Sequence, residues 1–438
     1  MSSSVGAEFP AGFHSVKRIL DSRQIRLRGH RATAAAWCAA LLLSCASSAQ
    51  SPGDNWARCE GSNPDASIAA CTALIEPGKE DAENTAVALN SRGIAYAVKG
   101  QPNQAIADFN QAIQLEPEYA GAFSNRANAY AAGGEFDQAM ADYSRAIQLR
   151  PDDADAYSYR GVAYAVMGHF DKAITDFNQA LRLKPDNAGA WNNRGSAYDA
   201  IGEYGRAIAD FDKAIQLKPD YAEAYSNRGN AYTDEHQFDR AIADYSQALR
   251  LNSQDAGTLY NRGARYLVKG ELDKAIADFG QAIRIRPELA EAYNGGGIAY
   301  DTKGQEEQAI AQFDQAIRLK PDYAEAYSNR CLARAIMGQL SAALADCNQS
   351  LTLRAGDPTT LKSRGLVRLK LNDLEGAIAD YNAVLVMSPV KATSLYGRGL
   401  AKLRSGDATG AASDMNAATA IQPDIADQFT KWGVTGKP

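Results

Sequence analysis

The stretch Ala188 to Tyr221, AGAWNNRGSAYDAIGEYGRAIADFDKAIQLKPDY, is 34 residues long, and near-copies of it run through most of the 438-residue chain. Equivalent stretches begin at Ala86, Ala120, Ala154, Ala188, Ala222, Ala256, Ala290, Ala324, Pro358 and Ala392. Ten units therefore fill residues 86–425 without an insertion or deletion. Such a period outranks length as a guide to architecture. A chain of this size would ordinarily suggest two or three globular domains. A stacked array instead grows without enlarging one central core.

The period contains two helices. With Ala188 as position 1, Trp191, Gly195 and Tyr198 occupy positions 4, 8 and 11 of one helical face, and Ala207, Phe211 and Ala214 occupy positions 20, 24 and 27 of a second. Position 15 is Gly in eight of the ten units, with His236 and Asn372 as the exceptions. Glycine there ends the first helix in the left-handed conformation. Position 32 is mostly Pro, as at Pro117, Pro219 and Pro321, which stops the second helix. Small residues at positions 8, 20 and 27 let two backbones approach, and the aromatics at 4, 11 and 24 fill the space between pairs. Each such side chain contributes roughly 1.5–3 kcal/mol when buried.

This pattern resembles the tetratricopeptide repeat family over residues 86–425. The resemblance implies an all-α, right-handed superhelical solenoid of ten 34-residue helix-turn-helix repeats. Its first helices would line the concave side and bind extended or helical peptide segments. Residues 50–85 are expected to form an N-terminal capping segment with a partial repeat, SIAACTALI (Ser67 to Ile75), onto which Trp56 and Cys59 fold. Residues 426–438 are expected to form a capping helix, with Phe429 at position 4 and Gly433 at position 8 of a half-finished repeat.

The first 49 residues read as an export signal. Lys17, Arg18, Arg23, Arg26, Arg28 and Arg31 precede an apolar run, Ala32 to Ala46, and a small-residue site compatible with cleavage after Ala49. The basic region is unusually long, and the apolar run is short of the ~20 residues that span a bilayer. A lipid anchor at Cys45 and an uncleaved anchor are the alternatives to cleavage; the mature chain is expected to hold no membrane span. Cys59, Cys71, Cys331 and Cys347 remain beyond the signal, an even number that suits an oxidising compartment. Proximity pairs Cys59 with Cys71 and Cys331 with Cys347, one of three connectivities open to four cysteines. Alternatively, Cys331 and Cys347 are small buried residues standing in for the Gly and Phe of the repeat. The expected location is periplasmic or secreted.

Residues 1–49 contribute +4 to a net charge of -6, leaving -10 for the remainder. An acidic body argues against nucleic-acid binding, which needs a basic surface. No CxxC pair or His spacing points to zinc, and no cofactor is expected. His169 and His236, the two histidines beyond the signal, sit at helix turns outside any nucleophile or nucleotide motif. No enzyme activity and no catalytic residue are expected; the expected partners are other proteins.

One departure from the family pattern is systematic. Position 7, usually Leu in the family, is Arg in nine units, from Arg92 to Arg398, and position 23 is Asp in the same nine, from Asp108 to Asp414. The seventh unit lacks both, with Gly296 and Gln312. Joint loss implies pairing within a repeat, against the alternative of an arginine row for acidic ligands. The same unit carries Gly295, Gly296 and Gly297 inside its first helix, either a flexible point or a site of tight packing against an aromatic.

The expected groove lining lies at positions 2, 5, 6, 9, 12 and 13 of the first helices. Position 6 supplies Asn125, Asn193, Asn227, Asn261 and Asn329. Resemblance to superhelices with an asparagine ladder implies that these amides hydrogen-bond a ligand's main chain; the alternative is a solvated or helix-bonded amide. Asp199, Asp234 and Asp301 make the middle of the groove acidic, alongside Glu223, Glu291 and Glu325. In the last repeats Lys362, Leu366, Lys370, Leu400 and Arg404, with Leu332, Arg334, Arg368 and Lys402, suggest an apolar, basic-edged groove for an amphipathic or acidic segment. The alternative there is drift in terminal repeats. A second functional reading is a glycan-binding solenoid that uses Tyr260 and Tyr396 as stacking platforms.

Overall fold

The computed structural model describes residues 54–435. The signal reading of residues 1–49 and the Cys45 alternative lie outside the described residues. Among the described residues there are twenty-three helices and no strand. The chain divides into two compact units, one ending at Leu251 and one beginning at Asn252.

The first unit opens with helix Asp54–Cys59 and helix Pro64–Ile75. A disulfide joins Cys59 to Cys71, with sulfurs 2.07 Å apart. Trp56, Leu74 and Ala70 close around it, so Trp56 and Cys59 pack onto helix Pro64–Ile75. Helix pairs then follow: Ala82–Val98 with Pro102–Leu115, Ala120–Ala132 with Phe136–Leu149, Ala154–Val166 with Phe170–Leu183, Ala188–Ala200 with Tyr204–Leu217, and Ala222–Asp234 with Phe238–Leu251. The second unit continues the same alternation from Ala256–Val268 to Ala408–Ile421 and ends with helix Ile425–Lys431.

Both inferred uses of glycine are realised. At Gly195 a Cβ would lie 2.7 Å from the ring of Phe211, so the absent side chain is what lets that fully buried ring lie against the first helix. At the turn, Gly202 has φ +83°. His236 and Asn372, the two departures at position 15, adopt the same left-handed conformation at φ 60° and 63°. The backbone requirement thus persists where the residue suited to it does not, at a cost of roughly 1–2 kcal/mol.

Cys331 and Cys347 replace the position-8 glycine and position-24 ring of their repeat and are joined by a disulfide with sulfurs 2.03 Å apart. Both are fully buried. The Gly295–Gly297 run is a packing feature and not a loose point. All three residues are buried within helix Ala290–Thr302, where the ring of Phe279 would meet a Cβ on Gly295 at 2.7 Å and that of Phe313 one on Gly297 at 2.5 Å. At the C-terminus the expected half-repeat is shorter than the period implies. Its helix stops at Lys431, and Gly433 is a left-handed turn residue at φ 74° rather than a helical contact glycine.

Candidate functional site

The position-7 arginines brace the fold. Arg194 donates from Nε to Asp210 Oδ2 and from Nη2 to Asp210 Oδ1, both at 2.7 Å. The same two-pronged pairing recurs from Arg92–Asp108 to Arg398–Asp414. Pairing within a repeat is therefore correct. A third arm was not foreseen: Arg194 Nη1 donates to Asn178 Oδ1 of the preceding repeat at 2.6 Å, and Arg126 and Arg228 reach Asn110 and Asp212 in the same way. Each guanidinium thus joins three helices. Arg92 Nη1 instead donates to Thr72 of helix Pro64–Ile75 at 3.1 Å, 20 residues earlier rather than 16. The Arg194 guanidinium also lies 4.6 Å from the Trp191 ring centroid and 5.8 Å from that of Tyr198. With its donors committed in this way, the row is not free to bind acidic ligands.

The expected basic edge of the last repeats belongs to this brace as well. Arg334, Arg368 and Lys402 lie 2.8–2.9 Å from Asp346, Asp380 and Asp414, each adding a second cation to the carboxylate that already holds a position-7 arginine. They replace the tyrosine whose ring meets the arginine in earlier repeats, and they are corrected from groove lining to internal ion pairs.

The asparagines divide. Asn125 donates to Asn90 at 2.9 Å, Asn227 to Asn192 at 3.1 Å and to Ser196 at 3.4 Å, and Asn329 to Asn294 at 3.0 Å. These three link successive first helices. Asn193 and Asn261 are half-buried; Asn261 interacts within the fold, whereas Asn193 makes no hydrogen bond. The acceptors Asn90, Asn192 and Asn294 stand 102 residues apart, as do Tyr119, Tyr221 and Tyr323 at position 34. Burial pushes the Tyr221 and Tyr323 hydroxyls up, and Asn192 and Asn294 beside them oppose that shift. A higher-order period of three repeats was therefore legible in the sequence and was missed beneath the shorter one.

Among the acidic candidates, Asp199 and Asp234 are half-buried and interact within the fold. Glu291 and Glu325 lie near Lys320 and Arg354, at 3.9 and 2.5 Å. The Oδ1 atom of Asp301 is shut off from water with no hydrogen-bond partner. Burial first, and then the charge of Glu306, pushes its carboxyl up to about 7.

In the last repeats Leu366 and Leu400 are buried, at 2% and 1% exposure, in a cluster with Tyr396, Ile425, Phe429 and Val434. They do not form an open apolar surface, because the C-terminal segment covers them. Lys362 is also buried. Lys370 Nζ donates to the carbonyls of Ala335 at 2.7 Å and Trp432 at 2.8 Å. Burial lowers its pKa. Arg404 reaches the carbonyls of Leu369 at 3.2 Å and Thr435 at 3.1 Å. Tyr260 and Tyr396 are 5% and 8% exposed, and they pack on Phe279 and Phe429 with ring centroids 5.8 and 5.0 Å apart. Neither can act as a sugar platform. Among the described residues no cluster of His, Cys, Asp or Glu is arranged to hold a metal ion, and no helix is long and apolar enough to cross a membrane.

Family models described as TPR repeat match residues 127–168, 265–304 and 302–338. Models described as tetratricopeptide repeat match residues 160–222 and 363–424, and 86–119 and 222–255. Among solved structures, the chain is similar to MamA, at 32% identity over 38% of this chain and 96% of that one, with a TM-score of 0.35. It is also similar to YrrB, titled a TPR protein with an unusual peptide-binding site, at 24% identity over 42% and 95%, with a TM-score of 0.37. A tetratricopeptide repeat protein from Parabacteroides merdae matches at 19% identity over 57% and 98%, with a TM-score of 0.45. No match was found among curated proteins.

Proposed function

Because the chain belongs to the tetratricopeptide repeat family, we propose that it is a non-enzymatic scaffold of the bacterial cell envelope that holds peptide segments of other proteins against its first helices. The observation that carries this reading is what remains on those helices once packing has claimed the rest. Asn193 is half-buried with no hydrogen bond, and the Asp301 carboxylate oxygen Oδ1 has no partner. An amide offers a donor and an acceptor to a passing main chain. A carboxylate that is poorly solvated gains most from an incoming cation. At Asp301 the favoured ligand is therefore a segment bearing a Lys or Arg; at Asn193 it is any extended main chain. The envelope location rests on the two disulfides, which suit an oxidising compartment, and on the signal-like order of residues 17–49.

A peptide-array screen with the full chain tests the reading. Basic extended peptides should bind; Asp301→Asn and, in a separate chain, Asn193→Ala should each weaken them at least tenfold, with both chains still folded by circular dichroism. Affinity unchanged by both substitutions would sink the proposal, as would retention on cell-wall polysaccharide with no peptide bound.

A further inference from the structure

The last two first helices, Pro358–Lys370 and Ala392–Arg404, end in a cation at position 13, where the earlier repeats have none. Leu332, Leu366 and Leu400 occupy position 9 in the last three repeats. Both departures meet the same object. Ile425, Phe429 and Val434 are buried against Leu366, Leu400 and Tyr396. Above this floor each cation bridges two carbonyls. One lies near the C-terminal end of the preceding first helix, Ala335 for Lys370 and Leu369 for Arg404, where the peptide dipoles leave negative charge. The other is a main-chain carbonyl of the tail, Trp432 for Lys370 and Thr435 for Arg404.

A cap for the final helix pair would need only helix Ile425–Lys431. The chain instead turns at Gly433 and returns to Lys370, 62 residues earlier in sequence than Trp432. Recognition through main-chain carbonyls and buried apolar side chains is how grooves hold peptides. We propose that this face is a peptide-docking site which the chain fills with its own C-terminal segment, Ile425 to Thr435. A partner segment of the same chemistry, with aromatic and aliphatic anchors and free main-chain carbonyls, enters by displacing it. The proposal does not use Asn193 or Asp301, so it stands or falls separately from the groove reading above.

The test uses the full chain with Phe429→Ala and Val434→Ala, which weaken the occupant and leave Lys370 and Arg404 in place. Hydrogen exchange should rise at least tenfold in residues 425–435 and remain unchanged in helix Ala392–Arg404. A labelled peptide of residues 424–438 should then bind this variant at least tenfold more tightly than it binds the parent chain. Adding Lys370→Met and Arg404→Met should abolish that binding. Equal binding to parent and variant, or binding that survives loss of both cations, would overturn the proposal. So would joint opening of helix Ala392–Arg404 with the segment, since the segment would then be part of the core and not a separable occupant.

Discussion

Asp210→Ala is the sharpest perturbation of the brace. It leaves Nε and Nη2 of Arg194 without acceptors in a site where the arginine side chain is 16% exposed and the aspartate 6%. Only the bond to Asn178 and the contacts with Trp191 and Tyr198 remain. An exposed pair would lose about 0–1 kcal/mol, and a buried one stranded with an unpaired charge about 3–5 kcal/mol. The exposures place this pair nearer the second case, so a loss of about 3 kcal/mol is expected. Arg194→Met combined with Asp210→Leu should recover much of it, because no charge is then stranded. The seventh repeat already omits both partners, with Gly296 and Gln312, and Gly280 stands where the third arm would be received. Urea unfolding followed by circular dichroism measures all three chains, with separate transitions fitted if the two units unfold separately. A loss below about 1 kcal/mol for Asp210→Ala, or a double variant worse than the single one, would refute the argument.

Asp301→Asn tests the unpartnered carboxyl. Its folded pKa of about 7 lies above the unfolded value of about 3.9, so its contribution is fully present below pH 4 and is lost as pH rises through 7. The variant should therefore gain about 2 kcal/mol relative to the parent between pH 5 and pH 8, allowing for partial solvent exposure; parallel melting curves at both pH values would contradict this. Cys331→Ser with Cys347→Ser should destabilise the second unit by about 3 kcal/mol, given a sequence separation of 16, and should remove its response to reductant in thermal melts. His236→Gly relieves a left-handed backbone at φ 60° and should stabilise by about 0.5 kcal/mol after the entropy of the unfolded glycine is counted.

The fold was legible because its determinants are local and repeated. The period, the turn glycines and the proline stops each specify a short piece of backbone, and ten copies average out single departures such as His236 and Asn372. The Arg–Asp pairs were legible for a related reason: the seventh repeat loses both at once. The candidate site was less so. Helical position assigns a face but does not reveal what else covers it. Leu366 and Leu400 follow the pattern of a groove floor, yet the segment that buries them lies beyond the array, where the period no longer constrains the chain. Arg334, Arg368 and Lys402 have the composition of a basic edge but turn toward carboxylates that position counting had assigned to other arginines. Asn125, Asn227 and Asn329 bond to amides 35 residues earlier, a contact visible only once the 102-residue recurrence is noticed.

Site-directed photocrosslinking most directly tests the claim that ligands meet the first helices. A photoreactive residue placed at Asn193 on a first helix, and in a second chain at exposed Ala209 on the following second helix, is illuminated with a bound array-selected peptide. Crosslinks from position 193 and none from position 209 are predicted. Crosslinks from position 209 alone would place the ligand on the other face of the solenoid and contradict the account.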